Sequence, residues 1–282
     1  MGVGHKKQLI AQLLSGQQAD GGFGVGTYSK WTGAHWRLIS LVELGVPPTN
    51  RAARKAVQTE LDWIAGPSEP IVIRGLERRH ASMEGNALAV ACRLDFAKDR
   101  RVRAVVDVLL GSQWPDGGWN CDRHTDAHRS SFHESLAPIW GLAEYHRATG
   151  DSAALASAQR AGELLLEHRL FRSVKTGAVI HPEWMHIHWP HYWHYDFFHG
   201  LRAIEMLGWI NDERASDALD HLESLRREDG TWRAGGHRYW RRSSEVVNWG
   251  DASELVTGAA VSILATGGDG AAARRRHGLQ RQ

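Results

Sequence analysis

QWPDGGW at residues 113–119 decides the fold of this chain, because the same pattern recurs along it. An earlier copy reads QQADGGFG at residues 17–24, and a weaker one reads RREDGTW at residues 226–232. Asp-Gly-Gly favours a tight turn, since glycine adopts positive φ without steric cost. The aromatic residue that follows can fold back onto the end of the preceding helix. The motif therefore predicts a repeated structural turn rather than a catalytic element.

Apolar residues recur at helical spacing on both sides of these turns, and no alternating strand pattern is found. Start and stop residues predict two alternating sets of helices. The first set covers residues 5–17, 50–64, 99–113, 151–169 and 212–226, and the second covers 32–44, 80–94, 131–147, 193–207 and 252–265. The second set is more apolar, and the first carries one charged face, which predicts an inner and an outer layer.

Helical hairpins that repeat every ~50–60 residues are typical of an array or a closed ring. We therefore predict an all-α fold: a single α/α toroid (barrel) of about five helical hairpins, with inner and outer rings, over residues 1–266. A Gly/Ala-rich stretch with three consecutive arginines ends the chain, and residues 267–282 are predicted to be a disordered tail.

The composition excludes several classes of partner. The net charge is only +2 and the basic residues are scattered, so no nucleic-acid partner is predicted. No apolar run is long enough for stable membrane insertion, and the N-terminal residues lack a signal-peptide core. The two cysteines, Cys92 and Cys121, fit a reducing compartment. We expect a cytoplasmic protein, whose oligomeric state the sequence does not predict.

The repeat resembles those of the protein prenyltransferase β-subunits and of the squalene and oxidosqualene cyclases, over residues 5–266. This resemblance implies the α/α toroid that these families share and, from the prenyltransferases, a bound metal. Phe132-His133 and Trp193-His194 resemble the aromatic-His context of a prenyltransferase zinc ligand. The chain lacks the Asp-x-Asp-Asp of the cyclases and the Asp-x-Cys of the prenyltransferases, so the resemblance implies no complete ligand set.

Ring closure would bring the N-termini of the second-set helices to one mouth, where several histidines and carboxylates would meet. Cysteine, histidine and carboxylate from separate helices suit tetrahedral zinc with one open position, and such ligands also admit iron or copper. The predicted metal ligands are Cys121, His133 and His194, with Asp122 as a further candidate. The predicted acid/base residues are Glu84, Glu134, Asp196 and His80.

Some of these positions have a structural interpretation as well. Ser131 and Glu134 form a Ser-x-x-Glu capping box. Residues 181–199 hold six histidines, and a His-rich tract binds metal readily. We expect most of these histidines to be exposed, with His194 and then His181 the best ligand candidates.

The 13 tryptophans, several of them near the predicted mouth, suit an apolar or isoprenoid-like substrate. The first hypothesis is a metal-dependent transferase, lyase or hydrolase, with zinc as the metal, that acts on such a small molecule. The second is a metal-free acid/base terpenoid cyclase or lyase. The third is a non-catalytic ring that binds a lipid or a peptide.

Overall fold

The computed structural model describes residues 3–66, 69–235, 245–250 and 252–278. These residues are mostly helical, as predicted. Their ten α-helices overlap the ten predicted ones and are α1 (Val3–Leu14), α2 (Ala34–Glu43), α3 (Arg51–Ile64), α4 (Ala81–Arg93), α5 (Arg100–Ser112), α6 (Phe132–Thr149), α7 (Ser152–Glu167), α8 (Phe197–Met206), α9 (Ser216–Ser224) and α10 (Ser253–Gly278). Two 3-10 turns, Pro182–Met185 and Glu213–Ala215, precede α8 and α9.

The C-terminal part differs from the prediction. Helical backbone in α10 continues to Gly278 and so enters the segment 267–282 that was predicted to be disordered. Residues 279–282 lie outside the described residues. Among the described residues, none of the helices combines the length and apolar character needed to cross a bilayer.

A short β-hairpin occupies the long loop before α4, where no strand was predicted. Strand β1 (Ile71–Ile73) pairs antiparallel with β2 (Leu76–Arg78), and Ile73 is opposite Leu76. Arg74 and Gly75 form the two-residue turn, both with positive φ (51° and 77°), which is the geometry that closes tight hairpins. The three consecutive β-branched residues of β1 were the available signal.

The described residues separate into two compact units, and the single domain over residues 1–266 stays a prediction. Unit 1 comprises the described residues of Met1–Ala161, Pro190–His194 and Arg238–Trp249. Unit 2 comprises those of Gly162–Trp189, Tyr195–His237 and Gly250–Gln282. Within unit 2, α8, α9 and α10 pack on one another.

Unit 1 contains two layers of helices. α2, α4 and α6 belong to the more apolar set; α4 contacts both α2 and α6, while α3 contacts α5 in the other layer. α4 is buried along almost its whole length, whereas α5 buries only the stripe Val102, Val105, Val106, Leu109 and Ser112. α4 is thus buried on all sides and α5 on one face only, which is the difference that the charge pattern predicts.

Glycine brings α4 and α6 into close contact. A Cβ on Gly85 would lie 2.3 Å from the backbone of Ala137, and one on Gly141 would lie 2.4 Å from the carbonyl oxygen of Gly85. Gly85 and Ala137 each stand about one and a half turns from the start of their helix. The first turns of α4 and α6 are therefore neighbours.

The repeated motif builds the same turn at each copy. Gln113 Nε2 donates to the carbonyl of Gly117 within its own turn (2.6 Å) and to that of Ser157 in α7 (2.9 Å). Gln17 makes the matching pair of bonds, the second to Ala52 in α3 at 2.9 Å. In these two copies the motif thus ties the turn to the next helix of the outer set, which is the structural role its composition predicts.

Candidate metal centre

Three side chains from three separate segments of unit 1 converge at the first turns of α4 and α6. His80 is the N-cap residue of α4, Glu134 lies in the first turn of α6, and Cys121 lies in the loop between α5 and α6. One ligand atom from each lies within 4.8 Å of the other two, and His80 Nδ1 is 3.6 Å from Glu134 Oε1. In the part of the chain that the structure describes, no other group of three such residues meets this condition.

Backbone hydrogen bonds hold Cys121 against both helices. The amide of Arg79 donates to the carbonyl of Asn120 at 2.9 Å, so the residues immediately before His80 and Cys121 are joined. On the other side, the amide of Ser131 donates to the carbonyl of Trp119 at 2.8 Å. Trp119 is fully buried, with its indole N–H bonded to the carbonyl of Leu109 at 3.0 Å. The repeat turn and its hydrogen bonds thereby fix the backbone that leads into Cys121.

Glu134 joins α6 to α4 through its carboxylate. Oε2 accepts the amide of Ser82, in the first turn of α4, at 2.9 Å, whereas the N-cap residue His80 makes no capping bond with its side chain. Ser131 caps α6 as the sequence predicts, but Glu134 caps the neighbouring helix rather than its own. Oε1 is left facing His80.

The charges of this cluster are set by its hydrogen bonds. Burial alone would raise the pKa of Glu134, but hydrogen bonds from His80 and from the Ser82 amide outweigh it and lower the pKa below the usual value. Hydrogen bonds to Cys121 and Glu134 raise the pKa of His80 to about 10. The cluster therefore favours a protonated His80 next to an ionised Glu134, and a metal ion that binds His80 has to displace this proton.

The donor set also fits zinc by size and type. Imidazole nitrogen, thiolate sulfur and carboxylate oxygen are the three common zinc ligands, and tetrahedral bond lengths separate them by roughly 3.4–3.6 Å. The 3.6 Å between Nδ1 and Oε1 already matches that separation. Three protein ligands leave a fourth position open, which is the arrangement of catalytic rather than structural zinc.

Glu84 lies one helical turn beyond His80 and on the same face of α4. Its side chain is 8% exposed; Oε1 bonds Arg79, and Oε2 has no hydrogen-bond partner among the described residues. Burial raises the pKa of Glu84 to about 7, although Arg79 acts in the opposite direction. Arg79 also holds Glu77, with Nη2 2.7 Å from its carboxylate.

Two residues near the cluster were missed by the sequence reasoning. Arg79 positions Glu84, and its place directly before His80 was the only available signal. Tyr28, in the loop before α2, has a pKa raised to about 12 by burial and by the negative charges of Glu134 and Cys121. Nothing in the sequence spacing relates Tyr28 to residues about a hundred positions later.

The other predicted ligands lie apart from this cluster. Asp122 is exposed, and its Oδ1 accepts the amide of His124 in a local turn. His133 packs against the rings of Trp193 and His194, at centroid distances of 5.6 and 6.2 Å. Of the predicted ligands Cys121, His133, His194 and Asp122, only Cys121 belongs to the group of three donors that includes His80 and Glu134, and the predicted ligand set stays a prediction.

Asp196 has a structural role within unit 2. It is fully buried and is the N-cap residue of α8, where Oδ1 accepts the amide of His199 at 2.8 Å. Oδ2 bonds both the amide and Nδ1 of His188, at 2.8 and 2.7 Å. Its hydrogen bonds and the nearby histidines lower the pKa of Asp196 despite the opposing effect of burial. These bonds give the Asp196 carboxylate a structural role, and its predicted catalytic role stays a prediction.

The expectation that most histidines of residues 181–199 are exposed is wrong. His188, His191, His194 and His199 are all at least 95% buried. Three of them contact buried polar groups: His188 Nδ1 the Asp196 carboxylate, His199 Nε2 the carbonyl of His188, and His191 Nε2 the Asn86 Oδ1 at 3.2 Å. The number of histidines in a short segment does not predict which of their side chains become buried.

Comparison with protein-family models, curated proteins and solved structures gives no significant match to this chain.

Proposed function

We propose that this chain is a metal-dependent enzyme, with zinc held by His80, Cys121 and Glu134. The observation that supports this is the convergence of these three donors within 4.8 Å from three separate segments. A zinc ion with an open position supplies Lewis-acid activation of a water, a thiol or a carbonyl group. The reaction class is a transfer, a lysis or a hydrolysis of a small molecule.

The chain's own residues supply the proton chemistry in this proposal. Glu84 has a pKa of about 7, so it exchanges a proton near neutral pH at Oε2, the oxygen left without a partner. Arg79 fixes the carboxyl group by holding Oε1. Glu134 stays ionised as a ligand while its second oxygen holds the first turn of α4.

The ring architecture and the apolar substrate remain part of the same proposal. The common turn of the motif copies and the two-layer packing of unit 1 support a helical-hairpin array. Around α2, Trp31 stacks on Tyr192 with centroids 5.0 Å apart and meets Trp36 at 4.7 Å. These rings are buried against one another, so the apolar or isoprenoid-like portion of the substrate is proposed from the number of tryptophans in the sequence.

Metal content of untagged protein, measured by plasma mass spectrometry, tests the metal centre. We expect about one zinc per wild-type chain, and less than a tenth of that in Cys121→Ala and His80→Ala, because two remaining ligands hold zinc weakly. His133→Ala and Cys92→Ala are the matched controls, since neither residue belongs to the cluster. Equal metal in all five proteins, or none in the wild type, would refute the centre.

A metal-free acid/base enzyme is the second candidate, favoured by the raised pKa of Glu84. A linear Cys-His-Glu triad fits less well. In such a triad the thiol and the carboxylate bind different ring nitrogens, whereas here one His80 atom lies within 4.8 Å of both. Zinc-free wild-type protein that still turns over a substrate, and loses turnover in Glu84→Gln, would favour this candidate.

A further inference from the structure

Arg78, the last residue of β2, is a buried cation with no ion pair among the described residues. It is 5% exposed. Nη2 donates to the carbonyl of Ala127 at 2.9 Å and makes two longer contacts, at 3.5 Å, with the carbonyls of Ile73 and His124. Nε and Nη1 have no hydrogen-bond partner. Arginine does not lose its proton in proteins, and a buried charge without a partner is costly.

Arg37 provides a comparison within unit 1. Its guanidinium is also buried and also lies over an aromatic ring of a repeat motif, 4.0 Å from the ring centroid against 4.6 Å for Arg78. Arg37, however, uses Nε on the carbonyl of Thr32 at 2.6 Å and Nη1 on those of Leu13 and Ser15 at 3.0 and 3.1 Å. Nε and Nη1 therefore have hydrogen-bond acceptors in Arg37, whereas the same two atoms of Arg78 have none among the described residues.

The loop that covers Arg78 also carries a residue of the metal centre. Residues 121–131 run from Cys121 to the start of α6, and Ala127 in this loop accepts the bond from Arg78. Most side chains of residues 122–130 are exposed. Arg78 itself stands two residues before His80. A group bound at Arg78 would therefore lie under the same loop as the thiol.

We propose that Arg78 binds an oxyanion, the carboxylate or phosphate group of the molecule on which the metal centre acts. The Nε–H and the Nη1 hydrogens are donors without acceptors, and oxyanions are the acceptors that guanidinium groups bind most strongly. That the oxyanion belongs to the substrate of the metal centre rests on the proposed function, whereas binding of an oxyanion by Arg78 does not. It gives the substrate an acidic end in addition to its apolar portion.

Titration calorimetry with inorganic phosphate, on full-length Cys121→Ala protein in a chelator and at constant ionic strength, tests the site without zinc. We expect phosphate to bind, and Arg78→Lys in that background to weaken it at least tenfold because the planar fork is lost. Arg37→Lys is the matched control and should leave the affinity unchanged. Absence of binding of both phosphate and acetate, or equal weakening in both lysine variants, overturns the proposal. Acetate in place of phosphate distinguishes a carboxylate from a phosphate site.

Zinc-loaded and zinc-free wild-type protein separate this proposal from the metal centre. Phosphate that binds only with zinc, and ignores Arg78→Lys, is bound by the metal alone and overturns the Arg78 site. Phosphate binding that needs Arg78 in a protein that never takes up zinc supports Arg78 and leaves the proposed function without its metal.

The midpoint of urea unfolding gives a second measurement, which does not depend on a folded lysine variant. A binding residue with two of its three side-chain nitrogens left without acceptors contributes less to the ligand-free fold than one in which the same two nitrogens are bonded. We expect Arg78→Met to lower the midpoint less than Arg37→Met does. An equal or larger loss in Arg78→Met would show that Arg78 serves the fold, and would overturn the proposal.

Discussion

Glu84 and Glu134 are both buried carboxylic acids, yet the pKa is raised in one and lowered in the other. The difference lies in the hydrogen bonds that each receives. Glu134 accepts a backbone amide and faces His80, so its charged form is stabilised. Glu84 leaves Oε2 without a partner, so burial dominates even beside Arg79. The two carboxyl groups therefore suit the different roles proposed for them, Glu134 as ligand and Glu84 as acid.

Glu84→Gln should remove a dependence of stability on pH. The unfolded chain loses the Glu84 proton near pH 4.5, while the folded protein keeps it until about pH 7. The unfolded state then binds fewer protons, so the free energy of unfolding falls as pH rises through this window. We expect the wild type to lose on the order of 2–3 kcal/mol relative to Glu84→Gln between pH 4.5 and 8. Urea unfolding at each pH measures both free energies. A free energy of unfolding that changes with pH equally in the two proteins would contradict this prediction.

At the scale of elements, the repeat turn depends on glycine for two reasons that can be separated. Gly117 has φ of +100°, and a Cβ there would lie 2.5 Å from the carbonyl oxygen of Arg160 in α7. Gly150, the C-cap of α6 in the same unit, has φ of +78° but open space around it. The turn and the neighbouring helix therefore constrain Gly117 together.

Gly117→Ala should destabilise the protein more than Gly150→Ala does. The control carries only the cost of positive φ, about 1 kcal/mol. Gly117→Ala adds a backbone clash that shifts α7 or the turn, and we expect a loss of about 3 kcal/mol or more. Urea unfolding followed by far-ultraviolet circular dichroism measures both. If Gly117→Ala lowers the free energy of unfolding no more than Gly150→Ala does, the turn accommodates the added Cβ at little cost and the prediction is wrong.

On the scale of the whole molecule, the proposed metal centre joins segments that are far apart in the chain. Positions 80, 121 and 134 belong to two helices and a loop, and the α4–α6 contact at Gly85 and Gly141 brings them together. A ligand that binds only the folded state stabilises it by mass action. Bound zinc should therefore stabilise the folded state of unit 1 by joining these segments.

Zinc should raise the thermal midpoint of the wild-type protein by several degrees. At a concentration a hundred times the dissociation constant, binding adds about 2.7 kcal/mol to the free energy of unfolding. Scanning calorimetry with zinc and with a chelator measures the shift. His133→Ala should keep it, and Cys121→Ala should lose it. A shift of the same size in Cys121→Ala would place the stabilising zinc elsewhere.

The helices and turns could be predicted from the sequence because the interactions that define them are local. Periodicity placed all ten helices of the described residues, Asn50, Asp99 and Ser131 cap them as expected, and the Asp-Gly-Gly copies form matching turns. The candidates also came from this local reasoning, since His80, Glu84 and Glu134 stand at or near helix starts and Cys121 follows a repeat turn.

Only the tertiary structure decided which of these candidates meet. His80 joins Cys121 and Glu134 because of a hydrogen bond between the backbones of Arg79 and Asn120 and because two glycines let α4 and α6 touch. The partners in both contacts are more than 40 positions apart, and no local pattern specifies them. Convergence of side chains depends on long-range packing, whereas helix and turn formation depend on neighbours in the chain.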